Sequence, residues 1–453
     1  MKKIIYFILA LAFFSGIFLR DFFREPALVT RFETPFALPF PMPEIPTVQI
    51  PDRICDITDY GAFSNGTTSN TQVFAKAIAD CAQKGGGKVN VPSGTWLTGP
   101  IHLKSNIELH LEKGAFIKFD PNLEKYLPEV FSRFEGIEYF NYSPLIYARN
   151  VENIALTGEG TLDGQDESWK KDDLLRQMSV EKLYESVENN ISVEKRRFGN
   201  KNFLIQPSFV QFINSKNILI DGVTIKNSPN WTVHPIYSEN ITISNVTIDN
   251  NGRNSDGIAI DSSRNVLIKD CQIESGDDAI VIKSGRDQDG LRVNKSSENI
   301  IIRDCKIEEG HSGIAIGSEM SGGIRNVYVH EIDMNYVKYG FRMKSAPSRG
   351  GIVEKIWLDD VRVDRAITDA IRLDLLYQGK EESYDKDSLP IFKDIHIKDF
   401  YCRRAKNAII LIGLPESPLR NISFENVHIS ATQGITKENV QNEKLEDLNI
   451  KIN

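Results

Sequence analysis

The sequence predicts an all-β fold, a solenoid of stacked strands closed at its N-terminal end by a helix. Two repeating columns of residues carry that prediction. Short segments that alternate apolar with other residues align on Ile258, Ile280, Ile314, Phe341, Ile371 and Ile409. Alternation over a few residues marks a strand with one face buried, and its return every 22 to 38 residues suggests one turn of a solenoid each time. A second column is an Asn that precedes an apolar strand, at Asn106, Asn153, Asn217, Asn240, Asn265, Asn299, Asn326 and Asn421, with Lys355 and Asp394 taking the place in two coils. Asn tolerates a tight turn, and stacked amides can form a ladder, so this column reads as structural rather than as glycan binding.

In chain order, residues 1–24 begin with two lysines and an apolar run from Ile4 to Leu19, the pattern of an export signal. The run is short for a spanning helix, yet no clear cleavage site follows it, so an uncleaved membrane anchor stays open. Residues 25–51 are punctuated by prolines from Pro26 to Pro51 and read as an extended linker or strap. Residues 52–453 are expected to form the catalytic domain. Near its start, Val73, Phe74, Ala77, Ile78, Cys81 and Ala82 make one apolar stripe of a helix, with Ser69 or Asn70 as its cap and Gly85 to Gly87 at its end. A stack of coils exposes apolar residues at its open end, and this helix is the candidate cover. Gln165 to Asn202 is charged and reads as a helical insertion. Gln378 to Ser388 reads as a polar loop. Insertions in solenoids often border the binding face.

Composition narrows the function. The 453 residues are 41% hydrophobic and 26% charged, enough to bury a large core. A net charge of −8 argues against a nucleic-acid partner, whereas a local basic patch could still hold an anionic sugar. The five cysteines have neither zinc-site spacing nor the arrangement of a disulfide framework. Cys271 and Cys305 fall at matching places and read as stacked small apolar residues, or as a disulfide if the protein is exported.

The chemistry gathers on the first column. Asp256 and Asp278 both stand two places before the aligned apolar residue, Asp277 and His311 three places before it. Arg342 and Lys344 follow Phe341 by one and three places and are expected on the exposed face of their strand. Neighbouring rungs are about 4.8 Å apart, so three carboxylates, an imidazole and two cations would share four rungs. Any of these taken alone reads as turn chemistry or a solvated surface. Their alignment on one column points to a catalytic site.

The segments NSD (Asn254 to Asp256), GDD (Gly276 to Asp278), GHSG (Gly310 to Gly313) and RMK (Arg342 to Lys344) resemble, in order, the motifs of the polygalacturonase family of glycoside hydrolases. Ser255, Ser312 and Met343 depart mildly from that pattern. The surrounding SGRDQDG and GSEMSGG look more like its exo-acting bacterial branch. The resemblance implies a right-handed parallel β-helix of the pectin-lyase type that cleaves α-1,4-galacturonosyl bonds of pectin with inversion. It implies Asp277 as general acid, Asp256 and Asp278 as the pair that holds water, and His311 as a partner orienting the cluster. Asn254, Arg342 and Lys344 are implied in substrate binding. Rungs about 5 Å apart hint at retention by the usual rule, against the family pattern.

A pectic polysaccharide or oligogalacturonide is the expected partner, with no cofactor and no metal. The protein is expected as an exported monomer, in the periplasm, at the cell surface or outside the cell. The alternatives are a rhamnogalacturonan or xylogalacturonan hydrolase, a pectate lyase on the same fold, and a non-catalytic glycan-binding β-helix.

Overall fold

Parallel strands stacked in register build the molecule, and the register is that of the Ile column. In the computed structural model, which describes residues 38–169, 172–377 and 388–453, Val233 pairs with Ile258 and Ile258 with Ile280. The column continues through Ile314, Phe341, Ile371, Ile409 and Ile435. From Ile258 to Ile409 these side chains are fully buried. Full burial of one such side chain contributes about 1.5–3 kcal/mol, so a one-residue slip that turned the column outward is strongly disfavoured. Among the described residues, 26 strands form one parallel sheet that winds as a right-handed parallel β-helix. Phe40–Asn453 is one compact unit.

The Asn column is a ladder at the corner of the coils. Asn153 Nδ2 donates to Asn106 Oδ1 at 3.0 Å, and the same bond recurs from Asn217, Asn240, Asn265, Asn299 and Asn326 at 2.9–3.2 Å. All of these residues have φ between 54° and 61°. This left-handed conformation is tolerated best by Gly, Asn and Asp, and the neighbouring amides satisfy each side chain. Lys355 and Asp394 keep the same backbone at φ 58° and 55°. The turn therefore survives where the amide does not.

Helix α1, Thr71–Gln83, buries Phe74, Ala77, Ile78 and Cys81 against the first coil. Asn70 occupies its N-cap but makes no side-chain cap bond. Its amide instead bonds the backbone of Phe63, Thr68 and Leu97. One pair of cysteines differs from expectation and the other meets it. Cys55 and Cys81 form a disulfide that ties the first strand to α1, whereas Cys271 and Cys305 are free and buried. Linear spacing could not show that a 26-residue separation closes here, because the helix folds back over the strand.

Residues 1–24, expected as an export signal, residues 170–171 of the insertion and residues 378–387 of the polar loop lie outside the described residues. The Pro-rich stretch is described from residue 38 onward, where residues 41–53 contain neither helix nor strand and Phe40 packs on Trp357. No helix among the described residues is long and apolar enough to cross a membrane.

The insertion holds helix α2, Asp173–Glu188. It packs Leu183 with Phe198 and Ile205 onto an antiparallel hairpin, Val130–Phe134 and Ile137–Asn141, which sequence periodicity did not reveal. That hairpin is anchored beside the Asp column by Arg133, whose buried guanidinium bonds Asp261 Oδ1 and Ser262 Oγ at 2.9 Å.

Candidate active site

The site lies where the turns before Ile258–Asp261 and Ile280–Lys283 meet the later strands. Gly276 lets the second turn approach the first, since a Cβ there would lie 1.9 Å from the Gly252 carbonyl oxygen. Ser275 Oγ donates to the Asp277 carbonyl and Asp277 Oδ1 accepts the Asp278 N–H at 2.9 Å. The His311 N–H also reaches the Asp277 carbonyl at 2.9 Å. These bonds answer the question alternation left open, by giving the two adjacent aspartates different directions. Asp278 is buried, and the Asp277 side chain is about one-third exposed at 34%.

The structure brings Asp277, Asp278 and His311 together. His311 Nδ1 is 3.8 Å from Asp277 Oδ1 and 3.6 Å from Asp278 Oδ1, too long for hydrogen bonds. Its ring meets Tyr339 edge-on at 5.3 Å. Asp256 is buried one coil back. Asn254 donates through Nδ2 to Asn230 Oδ1 at 3.0 Å.

Arg342 and Lys344 are not on an exposed face. Each is only 5% exposed, because the strand face opposite the core is itself covered by the turns and by Tyr377. Lys344 Nζ donates to Asp278 Oδ2 at 2.7 Å, an ion pair with both partners buried. The Arg342 guanidinium lies 3.9 Å from the centre of the Tyr339 ring and 4.9 Å from that of Tyr377. Its Nε has no hydrogen-bond partner among the described residues.

Sequence reasoning passed over Lys283 and Glu319. Lys283 Nζ sits 3.0 Å from Glu319 Oε2, 3.5 Å from Asp256 Oδ2 and 4.3 Å from the centre of the Trp231 ring. A signal was present, because Lys283 follows Ile280 by three places as Lys344 follows Phe341. Glu319 stands inside GSEMSGG, which is read only for its branch resemblance, and Trp231 carries no such signal; both arrive from loops.

Electrostatics separate the three aspartates. Burial pushes Asp278 up, but the Lys344 ammonium together with His311 and Lys283 outweighs it and holds the carboxyl well below the usual range. Burial and then the Asp278 charge push Asp277 up. Burial pushes Asp256 well up too, against the pull of Lys283. The cluster can therefore keep one carboxylate ionised beside a carboxyl inclined to carry a proton, the arrangement acid–base chemistry needs. Asp277, Asp278 and His311 also offer three ligand atoms within 4.8 Å of one another, in principle a metal site. The ammonium of Lys344 already balances Asp278 there and opposes a second cation.

Comparison with known proteins gives the family. The sequence model of Glycosyl hydrolases family 28 matches residues 81–447. A probable polygalacturonase of Vitis vinifera is 31% identical over 386 residues, 82% of this chain and 73% of that one. An endo-polygalacturonase of Pectobacterium carotovorum is 28% identical, over 85% of this chain and 89% of its own. The crystal structure of a hyperthermoactive exopolygalacturonase from Thermotoga maritima superposes with a TM-score of 0.84 at 40% identity, covering 90% of this chain and 94% of that one. A glycoside hydrolase, the chain belongs to family 28 of the glycosyl hydrolases.

Proposed function

We infer that the enzyme hydrolyses α-1,4-galacturonosyl bonds of polygalacturonate, with Asp277 as general acid and Asp256 and Asp278 holding the attacking water. The observation that carries this reading is the Lys344–Asp278 ion pair directly beside Asp277. Asp278 stays ionised, and its charge helps Asp277 retain the proton that the leaving oxygen must receive. Asp277 is also the more exposed of the two, so it is the one a sugar oxygen can reach. His311 faces both carboxylates and orients the pair. Arg342, with its free Nε, is the group we assign to a substrate carboxylate, since a guanidinium can grip one with two parallel bonds. Asn254, two residues before Asp256, is assigned to substrate binding beside it.

Inversion is part of this reading. The usual separation of acid and base in inverting enzymes is about 6.5–9.5 Å, and the Asp277–Asp278 spacing is smaller. Water held between Asp256 and Asp278 approaches from the neighbouring coil, so the spacing within one turn does not measure the room it has. NMR of the first product formed tests this, with β-galacturonate expected and α-galacturonate rejecting inversion.

Attack from the chain end is supported by the 40% identity to an exo-acting enzyme. Product analysis on a defined oligogalacturonate decides it. Monomer or dimer alone from the first minutes is expected, and a ladder of intermediate lengths rejects the exo reading. Absence of any new reducing end from polygalacturonate rejects the substrate class. Export is supported by the lysines and apolar run at the N-terminus and by the Cys55–Cys81 disulfide, which suits an oxidising compartment. Fractionation of producing cells should find active enzyme outside the cytosol, and recovery from the cytosol alone rejects export.

A further inference from the structure

A second basic cluster lies one coil to the N-terminal side of the acid cluster. A cavity of about 180 Å³ is lined there by Arg176 and Asp173 of the inserted helix, by Arg253 and Asn254 of the turn leading to Asp256, and by Asn230 and Gln206. Drug-sized pockets begin near 300 Å³, so this one suits a single sugar ring. Asn254 joins it to the catalytic turn, being two residues before Asp256.

The charges are unbalanced. Asp173 is the one acid in the lining, set against two guanidiniums. It reaches Arg176 Nε only at 3.9 Å and Arg253 only at 3.7 Å, beyond hydrogen-bond range. Arg176 Nε is buried with no hydrogen-bond partner among the described residues. A partly buried guanidinium with one buried, unused donor is held ready for an anion, because an unmade bond there has a desolvation cost. The Asp173 carboxylate stands between the two arginines as a weak internal substitute.

We propose that Arg176 and Arg253 form a carboxylate-binding subsite for a uronate neighbouring the bond under attack, an inference that rests on the galacturonan reading above. The inserted helix then does more than cover the coil. It supplies one half of the carboxylate grip, and the catalytic turn supplies the other. Asp173 competes with the substrate for both.

Calorimetric titration and initial rates with trigalacturonate test this, using galactotriose as the ligand without carboxylates. The double variant Arg176→Gln/Arg253→Gln should weaken trigalacturonate binding about tenfold or more, the loss expected for charge-assisted bonds, and leave galactotriose unchanged. Asp173→Asn should tighten trigalacturonate about twofold or more, because a competitor is gone. A misfolded variant could not bind more tightly, so this arm separates recognition from structural damage. Unchanged trigalacturonate affinity in the double variant, or a loss equal on both sugars, overturns the subsite. Weaker binding in Asp173→Asn overturns the competition. A wild type that releases no galacturonate from polygalacturonate and binds neither trimer removes the substrate reading itself, and the subsite with it.

Discussion

Replacing Lys344 by Met should change the pH at which the enzyme works rather than merely slow it. The Lys344 ammonium is 2.7 Å from Asp278, and both side chains are buried. Removing one partner of such a pair leaves an uncompensated charge and costs about 3–5 kcal/mol. At about 1.4 kcal/mol per pKa unit, that is worth about 2–4 units on Asp278 if protonation relieves it. Lys283 also pulls Asp278 down, so the lower end is expected. In the wild type, Asp278 is depressed, so its stabilising effect is present above its unfolded value and disappears as pH falls through its lower folded value. Lys344 is raised, so its share is complete below its unfolded value and disappears as pH rises through the folded one. The pair therefore stabilises across the whole neutral range, and the variant should lose stability there. The assay is kcat/KM on polygalacturonate against pH, with thermal unfolding in parallel. The acid limb of the variant should move up by about 2 units. A folded variant whose acid limb coincides with the wild type, only scaled down, would falsify the idea that Lys344 sets the charge of Asp278.

Three further outcomes are expected. Asp277→Asn should lower turnover by 10²-fold or more, in line with the usual contribution of about 10²–10⁴ from an acid–base group, with binding nearly intact; retention of more than about a tenth of activity removes Asp277 as the acid. Arg342→Ala should lower kcat/KM on polygalacturonate by about 30-fold or more and should narrow the preference over fully methyl-esterified pectin, as loss of a desolvated ion pair requires; equal wild-type rates on acid and ester would show that Arg342 does not read the uronate. Cys81→Ala should cost about 3 kcal/mol in denaturant unfolding and be insensitive to reductant, which should destabilise the wild type, because a loop of 26 residues is no longer closed; a reductant-insensitive wild type contradicts the disulfide.

Periodicity made the β-helix legible because each strand pairs with the one a coil away, so the register is written as a column in the chain. Ile258, Ile280, Ile314, Phe341, Ile371 and Ile409 pair as their alignment predicts. The Asn ladder was readable for the same reason, since the same corner of each coil repeats a left-handed turn. The gathering of Asp277, Asp278 and His311 follows from that register too. The antiparallel hairpin at Val130–Asn141 was not readable, because its strands obey no coil spacing.

The sequence by itself determined the stack, its register and the coils on which the charged residues stand. It could not say how deeply those residues are buried or which of them touch. Arg342 and Lys344 alternate as an outward face should, yet loops distant in sequence cover that face and bury both. Lys344 is bound to Asp278, and Lys283 is shared between Asp256 and Glu319, through contacts spanning 66 and 36 residues. The charge state of each aspartate depends on desolvation and on cations a few ångströms away, and these exist only once the coils and their insertions have closed around the site.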